Sequence, residues 1–421
     1  MCNHEVPQPT AEKSGRPAPK PTGPHTVIKN VTVFDGTELL EETWDVELNE
    51  GKIQRVTVSK SGEHIDGAVE IVDGTGRYLI PGLIDSHIHI TDIEKTLSGL
   101  GMFGVTTGLD MGCFNEATLR DARGINGRAD TRSAGYSATV AQSTHHKLLR
   151  MPDASLVNNV DEDDWVAQRV QGGSDYIKLI ADMPIGPSQD KLNKLVDAAN
   201  RVNKLSVVHA VNAQSYHMAV ASKCSVLTHA PLDTTIPQSL VTTIHAQNQV
   251  CVPTLVFMHM QAHSLLVTAV DTITRHFRRS YTPAAESVRA MFQAGVPIFV
   301  GTDCHGDLGP LAPKYGLAVH EEMKLLCDPD VGMPPTQVLQ SATSLPATFF
   351  GLHDRGSIKP GFRADIVLLD ANPVENIQNS RRINKIWING VPHPLAKTGL
   401  ISADQTSSND SSWFSWVFKP N

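Results

Sequence analysis

The chain has 421 residues, 40% of them hydrophobic and 19% charged, and its 36 Lys and Arg against 44 Asp and Glu give a formal net charge of −8 at pH 7. That balance excludes a fibrous or wholly disordered protein and allows one large core with a smaller module. No continuous basic face argues for nucleic acid or an anionic membrane, so the expected partner is a small molecule. Six cysteines without CxxC spacing suit reduced thiols, and no apolar run approaches the roughly 18 residues that span a bilayer. With no signal-peptide core in residues 1–24, the expected location is the cytoplasm.

The first 24 residues hold six prolines among polar residues, a composition expected to form a disordered leader. Short β-type runs follow, broken at Asp35-Gly36 and Glu50-Gly51, and similar runs return at Ala364–Asp370 and Ile383–Gly390. Residues 25–80 and 353–395 are therefore expected to pair into a small β-sandwich. Residues 396–421 form a tail with Trp413, Phe414, Trp416 and Phe418, suited to docking on the body or to an oligomer contact.

Between residues 81 and 352 short apolar runs alternate with helix-like segments, the pattern of βα units. Eight candidate strands are read at Leu83–His89, Val105–Met111, Ser133–Val140, Tyr176–Ile180, Ser206–His209, Ser225–His229, Val250–Leu255 and Ile298–Asp303. Eight is the count of a (β/α)8 TIM barrel, so the fold class is α/β with this barrel at its centre.

Catalytic groups in such barrels sit at the carboxyl ends of the strands. The first candidate strand ends in His87-Ile-His89, where a period of two puts both imidazoles on one side. The fourth ends in Lys178, the fifth in His209, the sixth in His229 and the eighth in Asp303. Any one of these alone is an ordinary structural residue. Together, four imidazoles and a carboxylate suit Zn²⁺ or a related divalent ion, and two ions sharing a bridge would use them all and place a hydroxide between them. Lys178 admits two readings: an ion pair with an acid such as Asp303, or an amine neutral through desolvation and carboxylated by carbon dioxide into an anionic bridge.

These residues resemble the amidohydrolase superfamily over about residues 27–395. The resemblance rests on Pro81-Gly-Leu-Ile-Asp-Ser-His-Ile-His89 and Gly301-Thr-Asp303. Gly104-Val-Thr-Thr-Gly-Leu-Asp-Met-Gly112, Asp175-Tyr-Ile-Lys178, His209-Ala210 and Thr228-His229 are similar to its imidazolonepropionase-like, Xaa-Pro dipeptidase and ochratoxinase-like branch. The resemblance implies that His87, His89 and Asp303 hold one metal, that His209 and His229 hold a second, and that carboxylated Lys178 bridges two ions, expected to be zinc. It implies a homo-oligomer as well. Where that branch often shows a Gly-Gly-His-Gly-like stretch, this chain reads Gln142-Ser-Thr-His-His-Lys147. His145 or His146 is thus either a carbonyl-polarising group or a plain loop residue.

The expected reaction is hydrolysis of an amide or peptide-type C–N bond, with Asp303 moving the proton from water to the leaving group. Met183, Pro184, Asn212, Tyr216, His217, His259 and His305 are candidates to line the substrate cleft. Rival readings are lactone or ester hydrolysis, deaminase-like addition of water at a cyclic C=N, decarboxylation on the same barrel, and a catalytically inactive scaffold. A serine or cysteine nucleophile has no Gly-x-Ser-x-Gly elbow to support it. His320-Glu321-Glu322 lacks the second His of the zinc protease helix and reads as a solvated helix face.

Overall fold

A computed structural model describes residues 23–60, 67, 70–112, 120, 122–181, 185–264, 279–305 and 312–395. The leader up to residue 22, residues 183 and 184, and the aromatic tail 396–421 lie outside them.

Five strands come first: β1 Thr26–Phe34, β2 Leu39–Asn49, β3 Lys52–Val58, β4 Glu70–Asp73 and β5 Tyr78–Pro81. Glu50 and Gly51, with φ of 50° and 77°, close the two-residue turn between β2 and β3. Both central residues at positive φ make the turn that best matches strand twist, and Gly takes it without strain. Near the other end β14 Ile366–Leu369, β15 Ile383–Ile388 and β16 Val391–His393 join the same sheet, in the order β16-β15-β14-β5-β1-β2-β3 with β4 on β1. The two flanking segments do meet. Their strands are hydrogen-bonded as one sheet, where two sheets of a sandwich were expected, because β5 bonds β1 on one side and β14 on the other. One face of this sheet buries Ile28, Val46, Leu79, Ile366 and Trp387.

β5 runs directly into the parallel part of the molecule. There β6 Leu83–His89, β7 Val105–Asp110, β8 Asp130–Ser133, β9 Ile177–Ile180, β10 Ser206–His209, β11 Val226–Thr228, β12 Val250–Val252 and β13 Cys304–His305 form two four-stranded sheets, β13-β6-β7-β8 and β12-β11-β10-β9. Isolated parallel bridges tie Leu179 of β9 to Ala138, which follows β8, and Cys251 of β12 to Ile298, which precedes β13. Six of the eight expected strands match to within a few residues; the third and eighth differ.

The third strand was expected at Ser133–Val140 but ends at Ser133, because Gly135 turns to φ 67° and the chain returns to the sheet only at Ala138. Ile298–Asp303 is not a regular strand; only Ile298 makes a bridge. It is held by Phe299 N–H to the Cys251 carbonyl (2.9 Å), Ser86 N–H to the Val300 carbonyl (2.9 Å) and Asp303 N–H to the His87 carbonyl (2.7 Å). Gly301 permits this approach: a Cβ there would stand 2.4 Å from Val252 Cγ1 and 3.0 Å from His87 Cβ.

The period of two separates an apolar layer from a polar one. Ile84, Tyr176, Val207, Val226 and Phe299 belong to one buried cluster. Two residues further on from Tyr176, Val207 and Val226 come Lys178, His209 and Thr228, all buried; His209 and Thr228 close β10 and β11, whereas Lys178, expected to end its strand, is the second residue of β9.

The triplet His320-Glu321-Glu322 is buried, contrary to the solvated face expected of it. His320 bonds the Ser380 hydroxyl and the Phe103 carbonyl, Glu321 pairs with Arg381, and Glu322 accepts two backbone N–H groups. A helix packed on several sides has no solvent face, which pattern reading of one helix does not reveal. Among the described residues no helix is long and apolar enough to cross a membrane.

Candidate metal centre

His87 and His89 end β6 on one side of the strand, and Asp303 comes to them from the eighth segment. His87 Nε2 lies 3.3 Å and His89 Nε2 3.2 Å from Asp303 Oδ1. One ligand-type atom from each of the three lies within 4.8 Å of the others. His229 Nδ1 stands 3.8 Å from Asp303 Oδ2, and its ring is 4.8 Å from that of His87 and 4.3 Å from that of His209. Asp303 and His229 both adopt left-handed backbone, φ 57° and 72°. That conformation is uncommon for such residues and concentrates where function over-determines the backbone.

Hydrogen bonds set which ring nitrogen each histidine presents. His89 Nδ1 donates to the Gly112 carbonyl at 3.0 Å, which leaves Nε2 toward Asp303. His229 Nδ1 bonds the Thr254 hydroxyl at 2.8 Å. Asp85, buried on β6 itself, accepts from His87 N–H (3.1 Å), Thr302 N–H (3.1 Å) and Thr302 Oγ1 (2.6 Å), tying β6 to the segment that carries Asp303.

Burial sets the direction for three of the imidazoles, whereas for His89 burial is outweighed by the Asp303 carboxylate, which holds that ring above the usual range. Burial pushes His87 and His209 well below the usual imidazole range, and His229 down to about 3 against the opposing pull of Asp303. Burial would raise Asp303, but His305, His89 and His229 hold its carboxyl below the usual range. Neutral imidazoles and an ionised carboxylate are the forms that bind a divalent ion. Burial also lowers Lys178 to about 7, with Asp303 pulling the other way.

Both ring nitrogens of His87, Nε2 of His209 and Oδ1 of Asp303 are buried without a hydrogen-bond partner. A buried polar atom left so costs about 1–3 kcal/mol, so the group calls for a partner. Divalent ions would take one nitrogen of His87, Nε2 of His209 and Oδ1 of Asp303, so the donor set fits them.

The other expected residues divide. His145, on the helix Thr144–Leu149, brings its ring edge-on to His209 at 4.5 Å, whereas His146 Nδ1 accepts from the Gln142 backbone N–H at 3.4 Å. His305 stacks on His89 at 4.1 Å and donates from Nδ1 to the Asp303 carbonyl. Asn212 is the N-cap of the helix Ala213–Ala221, in a capping box with Ser215. Tyr216 is wholly buried behind the site with its hydroxyl on the His229 carbonyl, and His217 is exposed on the same helix. His259 stacks on His263 and lines a cavity of about 330 Å³ with Tyr281, Lys324 and Asp328. Met183 lies outside the described residues. Thr254 was not singled out from the sequence; Asp85 and Thr228 entered only as neighbours of His87 and His229 in motifs, and Glu322 only as part of an expected solvated face.

The chain is 23% identical over 377 residues to adenine deaminase 2 of Desulfotalea psychrophila, covering 87% of this chain and 57% of that protein. The structure is similar to that of a Xaa-Pro dipeptidase with methionine bound in its active site, with a TM-score of 0.69, 18% identity, and coverage of 88% of this chain and 99% of that one. It is likewise similar to ochratoxinase of A. niger, with a TM-score of 0.71, 17% identity, and coverage of 89% and 96%. A model of the amidohydrolase family matches residues 78–392, most of the sequence, and the chain belongs to that family.

Proposed function

We propose that this protein is a metal-dependent hydrolase that cleaves an amide or peptide-type C–N bond of a small molecule, on parallel sheets closed into a (β/α)8 barrel over residues 81–352. The observation that carries the reading is the gathering of buried, unbonded ligand atoms from His87, His209 and Asp303 beside His89 and His229. His87, His89 and Asp303 are assigned to one ion and His209 and His229 to a second, with carboxylated Lys178 between them; zinc is the expected metal. Ions held there would act as Lewis acids toward the scissile carbonyl and lower the pKa of water.

The chain's own residues do the rest. Asp303, ionised and within reach of His87 and His89, accepts the proton of the attacking water and hands it to the leaving nitrogen. His145, beside His209, is assigned to the carbonyl oxygen of the substrate. Asp85 keeps β6 and the segment that carries Asp303 in register. His305, stacked on His89, lines the substrate side.

A second reading, water addition at a cyclic C=N with release of ammonia, is favoured by the sequence likeness to adenine deaminase 2. Assembly as a homo-oligomer and residence in the cytoplasm complete the proposal.

The test is metal-stripped protein assayed against N-acyl amino acids, Xaa-Pro dipeptides, aryl amides and adenine. Turnover of an amide that a divalent ion restores supports the first reading, and of adenine alone the second. Full turnover without metal contradicts both.

A further inference from the structure

We infer that Thr254 and Glu322 form a relay that sets the ring nitrogen His229 presents to a metal ion, which makes Thr254 the contribution of the seventh strand to the site. The inference rests on the assignment of His229 as a ligand.

The cap of the helix Leu255–His263 is not made locally. Thr254 occupies the N-cap position of the helix Leu255–His263, where a threonine hydroxyl ordinarily accepts from an N–H of the first turn. It makes no such bond. Its backbone is left-handed, φ 49° and ψ 44°, a conformation that β-branched residues rarely adopt. The hydroxyl is turned instead to His229 Nδ1 at 2.8 Å. The orphaned amides go to Glu322 on the helix Leu317–Cys327: one carboxylate oxygen accepts from Leu255 N–H at 2.9 Å and the other from Val256 N–H at 2.7 Å.

Glu322 is fully buried, and both its oxygens are used in this way. A carboxylate from another helix therefore caps the first turn and frees the threonine side chain to face the ligand. With Nδ1 bound to Thr254, Nε2 of His229 is the nitrogen left to the site. His89 is held alike by the Gly112 carbonyl, so two imidazoles share one device, and only that of His229 is a side chain open to substitution. Groups that fix a ligating imidazole from behind typically contribute 10- to 100-fold in metal affinity.

The experiment uses the full chain, stripped of metal and titrated with Zn²⁺ against a chelating dye. Thr254→Val keeps the side-chain shape and removes the hydroxyl; Thr254→Ser restores it. Glu322→Gln places an amide donor against one of the two N–H groups. The expected result is a roughly 10- to 100-fold loss of affinity for one of two ions in Thr254→Val, a smaller loss in Glu322→Gln, and affinity within a few-fold of the parent in Thr254→Ser. Should Thr254→Val not fold, ¹⁵N-imidazole NMR of the zinc-loaded parent decides: zinc at Nε2 of His229 with a proton on Nδ1 is expected, and zinc at Nδ1 overturns the inference. His229→Ala separates the two levels. If it still binds two ions, the ligand assignment fails. If it loses one while Thr254→Val keeps both at full affinity, only the relay fails.

Discussion

Lys178 Nζ donates to Thr228 Oγ1 at 2.8 Å, and no carboxylate oxygen among the described residues lies within ion-pairing distance of it. The ion pair with Asp303 that the sequence allowed does not form. What remains is a buried amine whose pKa burial brings down to about 7. Below that value it is an ammonium; above it, it is a neutral nucleophile for carbon dioxide. At fixed dissolved carbon dioxide, reconstitution of metal-free protein should therefore quicken about tenfold from pH 6 to pH 8, following the neutral fraction. Reconstitution followed by activity checks this, and a rate independent of both pH and carbon dioxide would remove the bridging role.

Asp303 holds its place through His87, His89 and the backbone of β6, so Asp303→Asn should preserve the fold. Its turnover should fall by about 10²- to 10⁴-fold, the usual worth of a positioned proton-transfer group. Circular dichroism beside steady-state kinetics reads both halves.

The two neighbouring histidines on the helix Thr144–Leu149 should separate sharply. His145 meets His209 edge-on at 4.5 Å, while His146 accepts from the Gln142 backbone. His145→Ala is expected to lower kcat by about 10²- to 10³-fold, as loss of a group on the developing oxyanion does. His146→Ala is expected to stay close to the parent enzyme. Equal effects in the two variants would dissociate His145 from the reaction.

How much of this was legible in the sequence follows the range of the interactions. The pair His87 and His89 sits on one strand at a spacing of two, so local geometry alone puts the rings together. Asp303, His209 and His229 were found because strand ends in a parallel α/β array share one face. Asn212 and Tyr216 were read as cleft residues; the capping of the helix Ala213–Ala221 by Asn212 and the burial of Tyr216 on that helix were not anticipated. Thr254 and Glu322 are 68 positions apart, and no local pattern ties a cap to a carboxylate on another helix. The single sheet of β1–β5 with β14–β16 was half legible: the return of β-type runs was visible, and the hydrogen bonds of β5 to both neighbours were not.

A buried ion cluster joins β7 and β8 to the segment that leads back to the flanking sheet. Asp130 accepts from Arg355 at 2.8 Å and Arg132 at 3.1 Å, and Arg355 also reaches Thr107 and Asp354. Burial would raise the Asp130 carboxyl, but Arg132, Arg355 and Arg363 hold it well below the usual range. An acid whose folded pKa is depressed contributes stability that is present above its unfolded pKa of about 3.9 and is lost as the pH falls toward the folded value. Asp130→Asn leaves Arg355 without this partner and should cost about 3–5 kcal/mol at neutral pH. It should also flatten the fall in urea midpoint between pH 5 and pH 3. A variant as stable and as acid-sensitive as the parent would place the cluster's contribution elsewhere.

A two-metal hydrolase is tested by the number of Zn²⁺ bound per chain as metal-free protein is titrated in the presence of bicarbonate, with turnover followed alongside. The parent should saturate at two, with hydrolysis appearing as the second ion binds, and Lys178→Ala should stop at one or fewer and be inactive. Saturation of the parent at a single ion, or full activity in Lys178→Ala, would contradict the account.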